Sequence, residues 1–218
     1  MPDDVKVLTL TLGPLQANCF VVAKGPDCLV VDPGDEAPRV DALLERAGLT
    51  PRAILLTHGH FDHVGAADAL ARSHDLPVYI GEGDRREAAG PGLAGLAGLQ
   101  TTPVSAGMIP LNGEQALELI VPVTAIPTPG HSRGSYTFAL TAGEQTHLFS
   151  GDLLFFGSVG RTDLPGGDWE ALLASVTELV GRFPPDSIVH CGHGPDTTLS
   201  RELAINPFLS PLRQSGSS

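Results

Sequence analysis

Residues 53–63 read Ala-Ile-Leu-Leu-Thr-His-Gly-His-Phe-Asp-His: the apolar run AILL at 53–56, then THGHFDH at 57–63. Four apolar residues bounded by polar ones fit a buried strand. Three imidazoles and a carboxylate follow it without a break. His58 and His60 are two positions apart, and in extended backbone that spacing puts both side chains on one side. Asp62 and His63 fall at the turn into the next segment and can face a second point. A lone histidine is usually a satisfied core residue, whereas a packed set at a strand end points to a metal.

Outward from this stretch, residues 6–12, 18–23 and 27–32 read as short strands separated by GPLQAN and KGPD. The spacing of Val40, Leu43, Leu44 and Ala47 predicts a helix over 38–47, closed by Gly48. A helix over 64–73 and a strand over 77–80 follow. Residues 81–110 read as a mostly irregular insertion with one helix near 83–89, and GPGLAGLAG at 90–98 as a lid or packing insert. Further strands are expected at 117–120, 123–127, 135–140, 146–150 and 187–190. WEALLASVTELVGRF at 169–183 is the clearest helix, with Asp168 as its cap, and a short helix is expected around 199–204. Clustered strands punctuated by helices predict two mixed β-sheets packed face to face with helices outside. CFVV then LVVDPGD in the first half is echoed by YTFAL then THLFSGD in the second. Residues 1–209 are expected to form one domain and 210–218 a flexible tail.

Three further polar residues stand at expected strand ends: His131 in TPGHS, Asp152 in SGDLL and His193 in CGHG. Imidazole and carboxylate without thiolate suit zinc, with iron or manganese as alternatives. One metal can take His58, His60 and His131, and a second can take Asp62, His63 and His193. Asp152 is the natural bridge, because a carboxylate can hold two cations about 3.5 Å apart, with an activated water between them. Asp32 can orient the metal-binding loop or simply close a turn. Arg161 and Asp163 can pair and fix the 157–167 loop near the metals, or Arg161 can meet a substrate carboxylate. Cys191 has no base placed beside it and reads as an inert thiol.

The net charge is −12, which disfavours nucleic acid and anionic membranes as partners. It also gives no general attraction for an anionic thiol carrier. Three cysteines without a CxxC spacing read as free thiols in a reducing compartment. The acidic start MPDDVKVLTL reads as no secretory leader, and no stretch approaches a membrane span. A cytoplasmic location is the expectation. The sequence says nothing of oligomeric state.

THGHFDH, TPGHSRGS, FSGD and GHG together resemble the metallo-β-lactamase fold superfamily. FFGSVGRTDLPGGD at 155–168 and TTLSRELAINPFL resemble its glyoxalase II-like hydrolases more narrowly. The resemblance implies a four-layer αβ/βα sandwich (an α+β fold) with two metals on one edge, held by the seven residues above. It implies the short form without the helical C-terminal extension, and a thioesterase acting on S-lactoylglutathione-like hydroxyacyl thioesters through a metal-bridging hydroxide. Asp152 and Asp62 would then serve both as ligands and in catalysis, and a small thioester would be the partner. A thiolate leaves readily at neutral pH, its pKa being about 8.5, so no dedicated general acid is required. The alternatives are a mononuclear iron persulfide dioxygenase using His58, His131 and Asp152, a lactonase or β-lactamase-like hydrolase, and a non-enzymatic metal-binding module.

Overall fold

The chain begins as a meander. β1 (Lys6–Leu12), β2 (Ala17–Lys24) and β3 (Asp27–Val31) pair antiparallel in sequence. Crossovers through helices then add parallel strands. α1 (Ala37–Ala47) leads to β4 (Thr50–Leu56), and α2 (Phe61–Val64) with α3 (Ala67–His74) leads to β5 (Val78–Gly81). β6 (Met108–Leu111) pairs parallel with β5 and ends the first sheet, whose order is β1-β2-β3-β4-β5-β6. The computed structural model describes residues 5–90 and 102–215. Most of the glycine-rich run expected as a lid therefore lies outside the described residues.

The second sheet repeats the plan. β7 (Gln115–Glu118), β8 (Pro122–Pro127), β9 (Tyr136–Ala142) and β10 (Gln145–Gly151) pair antiparallel in turn. A small ribbon follows, made of β11 (Leu154–Phe155) and β12 (Ser158–Val159). α5 (Trp169–Arg182) then leads to β13 (Ile188–Cys191), which lies parallel to β10, and β14 (Thr197–Thr198) closes the edge. The sheet order is β14-β13-β10-β9-β8-β7. Asp168 caps α5 as expected, its carboxylate accepting from the Ala171 N–H at 2.9 Å.

Burial shows why the strands read as continuous apolar runs. In β2, Phe20 and Val22 face the second sheet, while Cys19 and Val21 face the helices. The core between the sheets joins Phe20, Leu29, Val31 and Leu55 to Val123, Phe138 and Phe149. Outside the first sheet, Val40 and Leu44 of α1 and Leu70 of α3 pack on Val30, Ile54 and Ile80. Outside the second, Leu172, Val176 and Leu179 of α5 pack on Ile126, Leu148 and Val189. The result is the expected four-layer sandwich of two mixed sheets between helices. Among the described residues no helix is long and apolar enough to cross a membrane.

Several local expectations need correction. The single helix over 64–73 is two, because the polar turn itself opens α2. The insertion expected to be irregular supplies β6, whose Pro110 hid it; a proline is tolerated there because β6 is an edge strand. The helix near 83–89 is a 3₁₀ turn, Glu82–Asp84, running into α4 (Arg85–Ala88). α6 (Leu199–Ile205) agrees with expectation. Ser210–Ser215 forms a further helix, α7, and Arg213 donates to the Leu203 and Asn206 carbonyls.

Phe149 stands edge-on to Phe20 across the sheets, with ring centroids 5.4 Å apart, and both are buried. Phe149→Ala should remove about 3–5 kcal/mol of stability, read as a lower midpoint in denaturant unfolding at an unchanged slope.

Candidate metal centre

Strands of like direction end on one rim, and the polar residues follow those ends. Asp32 follows β3, Thr57 to His60 follow β4, and Asp84 follows β5. His131 comes after β8, Asp152 after β10 and His193 after β13. The rim gathers all seven residues expected to hold metal. Nitrogens of His58, His60 and His131 fall within 4.8 Å of one another, and so do ligand atoms of Asp62, His63 and His193. Asp152 spans the two groups. Its Oδ2 lies 3.6 Å from His131 Nε2 and 3.7 Å from His193 Nε2, and its Oδ1 lies 3.3 Å from His63 Nε2.

Hydrogen bonds at the far side of each ring decide which nitrogen faces inward. The Arg161 carbonyl can only accept, and it lies 2.8 Å from His131 Nδ1, so that nitrogen carries the proton and Nε2 faces the site. Thr57 gives its single hydroxyl proton to Asp32 at 2.6 Å. It therefore accepts from His58 Nδ1 at 3.1 Å, which leaves His58 Nε2 free. Asp32 also accepts from the Thr57 N–H at 2.7 Å and from His63 Nδ1 at 2.9 Å. Asp32 thus orients rather than closing a turn, and its oxygens are already committed. A third grouping, Asp32 with His58 and His63, is close enough to ligate, but those commitments take Asp32 out of it.

The cluster fits cations. His58 Nε2 and Asp152 Oδ1 are buried and have no hydrogen-bond partner among the described residues, a costly state unless an ion completes them. Imidazole nitrogens face each other at 2.8 Å between His60 and His131 and at 3.4 Å between His63 and His193. Burial, and then the neighbouring His131 and His63, push His60 down to about 4. Burial likewise drives His58 well below the imidazole range. Burial also works against a charged His63, but the Asp152 and Asp62 carboxylates outweigh it and raise that group well above its ordinary value. Asp62 and Asp152 are lowered despite burial because His63 and its neighbours face them. A cluster of opposed imidazoles and carboxylates of this kind binds a dication in place of a proton. The two groups with Asp152 between them form a binuclear metal-binding site.

Arg161 and Asp163 do pair, through two bonds of 2.8 Å, but both are exposed. Such a pair contributes little stability. The loop reaches the site instead through the Arg161 carbonyl. Cys191 is buried, and burial pushes its thiol up to about 12, which matches an inert thiol. Gly192 permits the close approach of β13: a Cβ there would meet Asp152 Oδ1 at 2.2 Å.

Sequence reading missed three supports. Thr57 relays Asp32 to His58. Asn18 ties the first sheet to the second, its side chain donating to the Cys191 and Gly194 carbonyls at 3.0 and 2.8 Å. Asp84 accepts from the Gly59 N–H at 3.0 Å, between His58 and His60, and from the Gly134 N–H at 2.8 Å, just past His131. The Ser132 hydroxyl also donates to it, at 2.5 Å. Asp84 carried little signal, because it lies three residues past β5, behind Glu82 and Gly83, whereas Asp32 and Asp152 directly follow their strands. Asp84→Ala should weaken metal affinity about 10–100-fold, measured by competition with a chromogenic chelator, because it frees two ligand loops without removing a ligand.

A family model described as the metallo-β-lactamase superfamily matches residues 12–193. Among solved structures, the BLEG-1 B3 metallo-beta-lactamase is 36% identical with a TM-score of 0.85, the match covering 94% of this chain and 100% of that one. The di-iron-bound form of TTHA1623 is 45% identical with a TM-score of 0.82, covering 93% and 100%. Hydroxyacylglutathione hydrolase GloC of Haemophilus influenzae is 32% identical over 95% of this chain and 98% of its own length. On its fold, its ligand geometry and these matches, the chain belongs to the metallo-β-lactamase superfamily.

Proposed function

We propose that this protein is a binuclear metallohydrolase that cleaves hydroxyacyl thioesters of the S-lactoylglutathione type. The observation that carries the hydrolase reading is the pair of buried ligand groups joined by Asp152, with orphaned atoms aimed inward. The thioester reading is supported by the likeness to GloC along almost the whole chain. In this reading His58, His60 and His131 hold one metal, Asp62, His63 and His193 hold the other, and Asp152 belongs to both. Zinc suits the donor set, and the di-iron form of TTHA1623 makes iron the alternative to measure.

When bound, two such ions supply a water activated near neutral pH and an electrophile for a carbonyl oxygen. The protein's own part is geometric and electrostatic. Asp32, Thr57 and the Arg161 carbonyl fix three ring orientations, so the inward nitrogens need no reorganisation during reaction. His193 is the most open ligand, its side chain 29% exposed against 0–4% for His63 and His131, so substrate enters on its side. No further buried acid is needed to protonate a departing thiolate. A dioxygenase built on His58, His131 and Asp152 would leave Asp62, His63 and His193 without a role, although Asp152 reaches that group as closely as the other. A β-lactamase is the second reading, supported by the likeness to BLEG-1. The three buried, unpaired thiols support a reducing, cytoplasmic location.

A substrate panel tests the function: S-lactoylglutathione, a simple thioester, a lactone, a β-lactam, a phosphodiester and glutathione persulfide, on protein of measured metal content. The thioesters should show the highest kcat/KM. Turnover confined to any other class would overturn the thioesterase reading. Elemental analysis of protein purified without chelator should show about two metals per chain. Asp152→Ala should lose metal from at least one site and slow hydrolysis roughly 100-fold or more. Full activity with both metals retained would remove Asp152 from the site.

A further inference from the structure

The chain carries a net charge of −12, yet two cations beside the metal site stand without partners among the described residues. A cavity of about 320 Å³ opens between the β5–α4 turn and the loop after His131. His60, Asp84, Arg86, Glu87, Arg133 and Gly166 border it. Arg86 and Arg133 are exposed, and among the described residues they make no ion pair or hydrogen bond. Every other arginine meets an acidic side chain or a backbone carbonyl. Among the described residues, neither acid at the cavity is paired with these two. Both oxygens of Asp84 are taken by the Gly59 and Gly134 N–H groups and the Ser132 hydroxyl, and Glu87 has a partner of its own. Among the described residues, the charged side chains bordering this cavity without a partner are therefore two guanidinium forks, on a wall that reaches His60.

Their placement is built in. Asp84 immediately precedes α4, which carries Arg86, and its carboxylate clamps the turn that carries Arg133. The same carboxylate holds Gly59, between His58 and His60. One buried acid thus sets two cations in register with one edge of the metal site. A guanidinium matches a carboxylate or a phosphate bidentately, and in an acidic protein a local pair is what overcomes the general repulsion of an anion.

We propose that Arg86 and Arg133 form an anion-binding subsite that grips a carboxylate or phosphate on the carrier portion of the substrate, beyond the scissile carbonyl. The proposal rests on the hydrolase reading above, and it replaces the expectation that an anionic carrier meets no attraction.

The test uses metal-loaded protein and lactoyl thioesters of three thiols: 3-mercaptopropionate, 2-mercaptoethyl phosphate and neutral 3-mercaptopropionamide. The wild type should favour at least one anionic thioester over the neutral one by about 10-fold in kcat/KM, consistent with charge-assisted hydrogen bonds at a partly open site. Raised salt should narrow that ratio. In R86Q/R133Q the ratio should fall towards one, whereas R52Q, which breaks an ion pair with Asp27 at the opposite strand ends, should keep it. Which anion is favoured tells carboxylate from phosphate. Binding of the non-hydrolysable S-propyl thioethers of the same thiols is measured by calorimetry as a second readout. If no thioester turns over but the anionic thioethers bind the wild type about 10-fold tighter than the double variant, the substrate reading fails and the subsite stands. If thioesters turn over with no preference for anion, and the thioethers bind wild type and double variant alike, the subsite is overturned and the hydrolase reading stands.

Discussion

The Thr57–His60 turn hangs between two buried carboxylates. The Thr57 N–H donates to Asp32 and the Gly59 N–H donates to Asp84. β4, which delivers the turn, lies between β3 and β5; Asp32 follows β3 directly, and Asp84 closes the 3₁₀ turn that follows β5. The turn is thus gripped from both neighbours in the sheet at the point where the backbone leaves the ladder and would otherwise bury unpaired N–H groups. From there the constraint spreads. Asp32 reaches on to His63, and Asp84 reaches across to the loop after His131. Two carboxylates outside the two candidate ligand groups thus fix the segments that carry four of the centre's imidazoles.

The two halves use one plan for different ends. β1-β2-β3-β4 runs antiparallel, antiparallel, parallel, and β8-β9-β10-β13 does the same. The acid after the third strand is Asp32 in one half and Asp152 in the other, and histidine follows the fourth strand in both. What separates the acids is the donors around them. Three donors from Thr57 and His63 satisfy Asp32, whereas Asp152 keeps an unsatisfied oxygen. A carboxylate saturated by the protein can only orient its neighbours; one left open can bridge two cations. Asn18 then locks the halves together, because its side chain and its N–H both hold the Cys191–Gly194 loop.

How much of this was legible follows from which residues have substitutes. The residues that gather at the candidate metal centre were readable because few residue types can donate to a cation, and a compact centre needs them at strand ends in one cluster. The inner strands were readable because burial on both faces demands continuous apolar runs. β6 was not, since at an edge even Pro110 is tolerated and the pattern carries no demand. β11, β12 and β14 are two residues each, too short for any period to register. The paired acids of the insertion, Glu82 and Asp84, look like ordinary turn residues until the fold turns one of them inward.

Recognition of the substrate lies further still from the sequence pattern. A guanidinium matters at Arg86 or Arg133 only because it lacks a partner among the described residues, and that is a property of the folded surface. Arg161 makes the contrast. It sits in the motif that attracted notice, yet its side chain is spent on Asp163, and its contribution to the site is a backbone carbonyl that any residue could supply. Side-chain identity therefore informs where the chemistry is done by the side chain itself, as at the metals. Where a main-chain atom acts, or where the absence of a neighbour is what counts, only the arrangement in space carries the information.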